Sequence, residues 1–276
     1  MNCRFKSLLL AGTVVLVAGC DQKQSESQAT ANTDYQKQLV TQLINAKPGD
    51  VIDIPAGTYA FNRGLSLTVD GVTLRGQGMD KTILSFKDQI QGAEGLFVRA
   101  NDFTIEDLAI EDAKGDALKV NEGRNIVIRR VRTEWTNGPD EKNGAYGIYP
   151  VQTENTLIDG AVAIGAADAG IYVGQSKRVI VRNSRAEFNV AGIEIENTQF
   201  ADVYDNVAVN NTGGILVFNM PNLPQPGYRT RVYDNHVFAN NTGNFGQCCL
   251  MLRNRPSPSM PAICTSETTI STDSDF

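Results

Sequence analysis

Apolar positions in this chain follow two rhythms. Residues 35–46, YQKQLVTQLINA, place Leu39, Val40, Leu43 and Ile44 on an i, i+1, i+4, i+5 stripe, which predicts a short amphipathic helix. Pro48 and Gly49 then make a turn, Val51, Ile52 and Ile54 start a strand, and Pro55 and Gly57 end it. From there one tetrapeptide returns: GLFV (95–98), ALKV (117–120), GIYP (147–150), GIYV (170–173), GIEI (192–195) and GILV (214–217). Its steps are 22, 30, 23, 22 and 22 residues. A second series, Ile105, Ile128, Ile158, Val181, Val203 and Val232, steps by 23, 30, 23, 22 and 29. Two independent series with one shared step define a repeat. The long steps hold insertions, NGPDEKNGAY (137–146) and the Pro- and Gly-containing NMPNLPQPGY (219–228).

A step of that size has room for three short strands and three turns, stacked as a solenoid. Leucine-rich repeats share the period but need Leu at fixed sites, whereas this chain uses Val and Ile with Asn and Gly. Strand alternation sends Ile171 and Val173 inward and Tyr172 outward. Equivalent residues of successive coils then form ladders. Outward beside the second series stand Glu106, Arg129, Asp159, Arg182, Tyr204 and Tyr233, with charges alternating over four coils, a structural arrangement of opposite neighbours. Asn189, Asn211 and Asn240 form a turn ladder, in which stacked amides bond along the axis and Asn tolerates left-handed backbone. The 25 Gly and 23 Asn are the turn chemistry of such a solenoid.

With these repeats and the PAGTY segment (55–59), the chain resembles a right-handed parallel β-helix, the pectate-lyase-like solenoid. The implied fold class is all-β, with a short N-terminal capping helix. More narrowly, it resembles a family of bacterial β-helix repeat lipoproteins from about Asp34 to Phe245. The most specific stretches are GAYGIYPVQ (144–152), AIGAADAGIYVGQS (163–176), VAGIEIEN (190–197) and TGGILVFN (212–219). That resemblance implies a fold and an export route, not a reaction. A wider resemblance reaches polysaccharide lyases, uronate epimerases and the β-helix accessory protein of periplasmic nitrous oxide reductase assembly. Their functions differ, and fold does not choose among them.

The amino terminus agrees with export. Arg4 and Lys6 precede an apolar run, Leu8 to Ala18, too short to span a bilayer and laid out as a signal peptide. It ends in LVAGC, which resembles a lipobox and implies cleavage before Cys20 and acylation of its thiol. Asp21 resembles an inner-membrane retention signal. Residues 1–19 are thus expected to be a signal, 20–33 a polar tether, 34–245 the β-helix and 246–276 a tail without the repeat rhythm. That tail holds Cys248, Cys249 and Cys264. It suggests truncation or a frameshift and leaves the last coil without a proper cap. The expected place is the periplasmic side of a membrane, held by lipid. A net charge of −6 argues against a nucleic-acid partner.

One outward ladder differs from the structural ones. In the first series it runs Phe97, Lys119, Tyr149, Tyr172, Glu194 and Leu216. Glu122, Gln152, Gln175, Asn197 and Asn219 flank it at the strand exits, and the 137–146 insertion brings Tyr146. Aromatic rings beside amides and charges suit a sugar chain, because rings stack on CH faces and amides read hydroxyls. An ordinary solvated sheet face also carries tyrosines. The first expectation is binding of envelope or extracellular polysaccharide, or of a partner protein, without catalysis. The alternative is a uronate lyase or C5-epimerase, with Lys119 as base or carboxylate clamp and Tyr149 or Tyr172 as acid. No cofactor is demanded, although a lyase would use Ca²⁺. Glu194 and Glu196 are its candidate ligands, with their side chains expected to differ in direction because Glu196 ends the strand. A third reading, metal delivery, is weakened by a single histidine, His236, expected to face solvent.

Overall fold

The computed structural model describes residues 34–246. A helix over residues 34–45 is followed by nineteen strands wound into one continuous parallel sheet, each coil laying a segment on each of three faces, the first, second and third sheets. The helix buries Leu39 and Leu43 against the first coil. Its stripe is narrower than expected: Val40 is partly buried and Ile44 is 72% exposed.

Both repeat series are lattice rows of the fold. In the first sheet, Ser66, Phe97, Lys119 and Tyr149 pair in succession, as do Tyr172, Glu194 and Leu216, and the pairing of Ile148 with Ile171 joins the two runs. In the second sheet the inward row is Ile52, Leu74, Ile105, Ile128, Ile158, Val181, Val203 and Val232. This row begins two coils earlier than the sequence series. Extra chain between Ser85 and Gln91 lengthens the coil from Leu74 to Ile105 and hides the register.

The third sheet explains a change of core along the axis. Its inward row runs Leu84, Ile110, Thr133, Ala163, Ala186 and Ala208. The early coils fill their interior with Phe61, Phe86 and Phe103. The later ones narrow to Ala and bury polar turns: Asn189, Asn206 and Asn211 are fully buried. Each buried aliphatic stabilises the stack by roughly 1.5–3 kcal/mol, and only stacking removes it from water.

Buried amides need partners, and the coil spacing supplies them. Asn211 Oδ1 accepts from the Asn189 backbone N–H at 2.9 Å and from its Nδ2 at 3.0 Å, and Asn240 Oδ1 does the same for Asn211 at 3.1 and 2.8 Å. A second ladder, not read from the sequence, runs from Ser184 through Asn206 to Asn235. The left-handed positions are the residues just before the first ladder, Phe188, Asn210 and Ala239, with φ of 59, 57 and 53°. The stacked asparagines are therefore chosen for their amides and not for backbone tolerance.

Val217 and Phe238 of the last described coil are 49% and 50% exposed. The signal segment, Cys20, the tether, all five cysteines and the tail from residue 247 lie outside the described residues. No described helix is long and apolar enough to cross a membrane.

Candidate functional site on the first sheet

The outward row of the second sheet sets the baseline. It runs Asp53, Arg75, Glu106, Arg129, Asp159 and Arg182, then Tyr204 and Tyr233. Arg75 reaches Glu106 at 2.7 Å, Arg129 reaches Glu106 at 3.8 Å, and Arg182 reaches Asp159 at 3.0 Å. The ladder closes with Arg182 donating to the Tyr204 hydroxyl at 3.3 Å and Tyr204 stacking on Tyr233 at 5.1 Å. Its charges satisfy one another. Burial would raise the Asp159 carboxyl, yet hydrogen bonds from Asn183 and Arg182 hold it below the usual carboxylate range.

The first sheet is different. Tyr146, Tyr149 and Tyr172 form one cluster with ring centroids 4.5–4.9 Å apart. Tyr149 and Tyr172 arrive from neighbouring coils of the ladder. Tyr146 closes the 137–146 insertion, which is pinned where Asn143 Nδ2 donates to the carbonyls of Gly138 and Gly165 at 2.9 and 2.6 Å. The insertion therefore delivers its tyrosine as expected. Tyr172 does not form an open stacking platform: it is 8% exposed and packs with Ala169, Ala191 and Leu216. Its ring folds over Gly174, where an added Cβ would lie 2.7 Å from Tyr172 Cε1.

Lys119 projects beside the cluster. Its Nζ lies 3.5 Å from Asp116, 3.8 Å from Glu94 and 4.8 Å from the Tyr149 ring centroid. Two carboxylates and a ring face already meet its charge, which makes it a poor free clamp for a substrate carboxylate. Beyond Tyr172 stand Glu194 and Glu196. The register pairs Glu196 with Gly174 and Phe218, and Glu194 with Tyr172 and Leu216. The two glutamates thus share the outward face, against the expectation that they diverge, because strand positions two apart point the same way. They are 9% and 6% exposed.

The electrostatics follow from burial. Desolvation, aided by Asp168, pushes the Glu194 carboxyl up to about 8. Burial also raises Glu196, and it raises Asp116 even against the pull of Lys119. Burial raises the Tyr146 hydroxyl, reinforced by the charges of Asp168 and Glu194 and by its hydrogen bond to Asp168. Tyr149 rises through burial, then through Asp116 and Glu196. Near neutral pH the face therefore offers a protonated carboxyl, Glu194, beside a carboxylate that holds a phenol. Glu94, Asp116 and Asp168 were not singled out in the sequence. Their signal was visible: each is an acid one or two residues before the returning tetrapeptide, in AEGLFV, GDALKV and ADAGIYV.

The flanking residues divide. Glu122, Gln152, Gln175 and Asn197 occupy left-handed turn positions, with φ of 58, 56, 48 and 42°. Gln152 and Gln175 line a cleft of about 330 Å³ with Lys177 and Gln225. Asn197 does not face a ligand: its Nδ2 donates to the carbonyls of Met220 and Gln225, and its Oδ1 accepts from the Met220 N–H at 2.7 Å. It ties down the 219–228 insertion. Glu122 is ion-paired with Arg99, and Asn219 bonds Gly227 within that same insertion. Among the described residues no group of three or more His, Cys, Asp or Glu side chains is placed to hold a metal ion. His236 is exposed on a strand of the last coil.

Comparison with known proteins extends the fold reading. Among the solved structures similar to this chain are two A-modules of mannuronan C-5 epimerases from Azotobacter vinelandii. AlgE6 is 24% identical with a TM-score of 0.57, and 68% of this chain covers 56% of that one. AlgE4 is 23% identical with a TM-score of 0.51, and 68% of this chain covers 57% of it. The chain thus spans little more than half the length of either module, and at this identity the likeness is one of fold. No curated protein matches the sequence. Residues 66–224 match the family described as right handed beta helix region, which takes in the sheet that carries the tyrosine cluster, and the chain belongs to that family.

Proposed function

We propose that this chain is a polysaccharide-binding β-helix protein of the cell envelope, exported, held to the membrane by lipid on Cys20, and binding its glycan along the first sheet without chemical conversion. One observation carries the reading: the Tyr146–Tyr149–Tyr172 cluster, flanked by Lys119 and Glu194, on a face without the coil-to-coil charge alternation of the second sheet. Tyr149 and Tyr146 offer ring edges and faces to sugar CH groups, and the cleft at Gln152 and Gln175 extends the surface with amides that read hydroxyls. The fold neighbours named above are epimerases of a polysaccharide, which fits this class of ligand.

The test is retention on a glycan array. Tyr149→Ala should lose most of the signal, whereas Tyr204→Ala, on the paired face, should keep it. Equal retention by both variants overturns the assignment of this face. Anchoring is tested separately: Cys20→Ala should abolish incorporation of labelled fatty acid.

A second reading, a uronate lyase or C5-epimerase, draws on one observation. Glu194 at about 8 can both hold and release a proton near neutral pH, as an acid–base catalyst must. Incubation with alginate and pectate distinguishes the two. Unsaturated products by absorbance, or epimerised residues by NMR, would establish conversion. Unchanged polymer together with retention supports binding alone.

A further inference from the structure

The charge of the first sheet is lopsided. Glu94, Asp116, Asp168, Glu194 and Glu196 gather around the tyrosines, against Lys119. Arg99, on a neighbouring outward position, is ion-paired with Glu122. The face also contains its own example of what it accepts. The Lys119 ammonium sits over the Tyr149 ring with Asp116 and Glu94 beside it, a cation–π contact completed by carboxylates. Further along the axis the same ingredients return: the Tyr172 and Tyr146 rings, with Glu194 paired in register with Tyr172 and Glu196 two positions on. There both glutamates are more than nine-tenths buried, and among the described residues no side-chain cation is ion-paired with either one; their ionisable neighbours are the phenols Tyr146 and Tyr149 and the acid Asp168. Carboxyl groups so largely withdrawn from water, with acids and phenols as neighbours, favour a cation beside them, and an ammonium group would supply it.

We infer that the glycan taken by this face carries protonated amines: an amino-sugar polymer with free amino groups, whose ammonium lies between Glu194, Glu196 and the tyrosine rings as Lys119 lies beside Asp116. The inference rests on the polysaccharide reading and narrows its ligand class. A uronate chain would bring carboxylates to a cluster whose one lysine already meets Asp116 and Glu94, so its acids would find no free cation there among the described residues to receive them. The raised Glu194 carboxyl agrees. It stays protonated while no cation is present and ionises when an ammonium arrives.

The test is calorimetric titration of the full chain at about pH 6, where a sugar amine is protonated. Three probes are used: a glucosamine oligomer, its fully N-acetylated counterpart and a mannuronate oligomer of equal length. The glucosamine oligomer should bind about tenfold or more tighter than the others. A Glu194→Gln/Glu196→Gln double variant should lose about tenfold or more of that affinity. Asp53→Asn, which removes an exposed charge on the second sheet, should lose almost none. Thermal melting of each variant verifies that it is folded. Equal or tighter binding of mannuronate overturns the inference while leaving the polysaccharide reading intact. Failure of all three probes overturns both. Equal binding of glucosamine oligomer by the double variant shows only general attraction to an acidic chain, and also overturns the inference.

Discussion

Two faces of one solenoid are built on the same lattice and use it in opposite ways. On the second sheet, each coil places a charge opposite its complement, so that Arg75, Glu106, Arg129, Asp159 and Arg182 neutralise one another at one strand spacing. On the first sheet, each coil adds to a collection: a lysine, two ladder tyrosines with a third from an insertion, and then glutamates that no described side-chain cation neutralises. The repeat makes both outcomes equally easy to build, because it fixes where side chains stand and not what they are. The difference is energetic. The paired face stabilises the stack, whereas the first sheet retains buried acids that a purely structural surface would not keep.

The largest test of this contrast is at Glu106. Its side chain is 11% exposed and it sits against Arg75, Arg129 and Arg130. Glu106→Lys would leave those guanidinium groups facing a fourth cation. A loss of about 3–5 kcal/mol in chemical denaturation is expected. A loss under about 1 kcal/mol would mean that the ladder is decorative.

Glu194→Gln should act the other way. The folded carboxyl is held at about 8 and the unfolded one titrates near its ordinary value, so the folded state binds the extra proton between them. The group's contribution is fully present below the unfolded value and is lost as pH rises through about 8. Wild-type stability should therefore fall on going from mildly acid to alkaline solution, by an amount on the order of a few kcal/mol from this group. Glu194→Gln should flatten that slope and be the more stable protein above pH 8. Melting curves across the range decide it, and parallel profiles for the two proteins would remove Glu194 as the cause.

These expectations show what the sequence could and could not reveal. The ladder Lys119, Tyr149, Tyr172, Glu194 was legible because a fixed period turns sequence spacing into spatial adjacency. The shared direction of Glu194 and Glu196 was equally implied by strand alternation, and was misread by assuming a turn at the strand end. Other features were not legible. Tyr172 is covered because its ring bends over Gly174, a matter of side-chain rotamer and not of period. Asn197 looked like a ligand amide and is instead the anchor of an insertion whose path no repeat predicts. For Asp116 and Asp168 the position was legible, as acids recurring just before the tetrapeptide, and only their reach to the row of tyrosines was not, since alternation does not set it.

Gly174 is the finer probe of the first sheet. Tyr172 reaches its covered position only because residue 174, outward and opposite Glu196, has no side chain. The backbone there is extended strand, so alanine brings no conformational strain, only a methyl group 2.7 Å from the ring. Gly174→Ala should cost about 1–3 kcal/mol through overpacking and drive the ring off the cluster. Tyrosine fluorescence should then report a more exposed phenol.

The smallest effect belongs to the exposed end of the paired face. Asp53 is 63% exposed and stands 3.9 Å from Arg75, whose closer partner is Glu106. Asp53→Asn should change stability by no more than about 0.5 kcal/mol, since an exposed pair is screened and its partner is already satisfied. Set beside Glu106→Lys, it tests whether the ladder's strength comes from charge alternation in general or from the rungs that solvent cannot reach. A large loss at Asp53 would favour the first, because alternation is as perfect there as at Glu106. The expected near-silence ties the strength to burial, the same property that on the first sheet raises the Glu194 and Glu196 carboxyls.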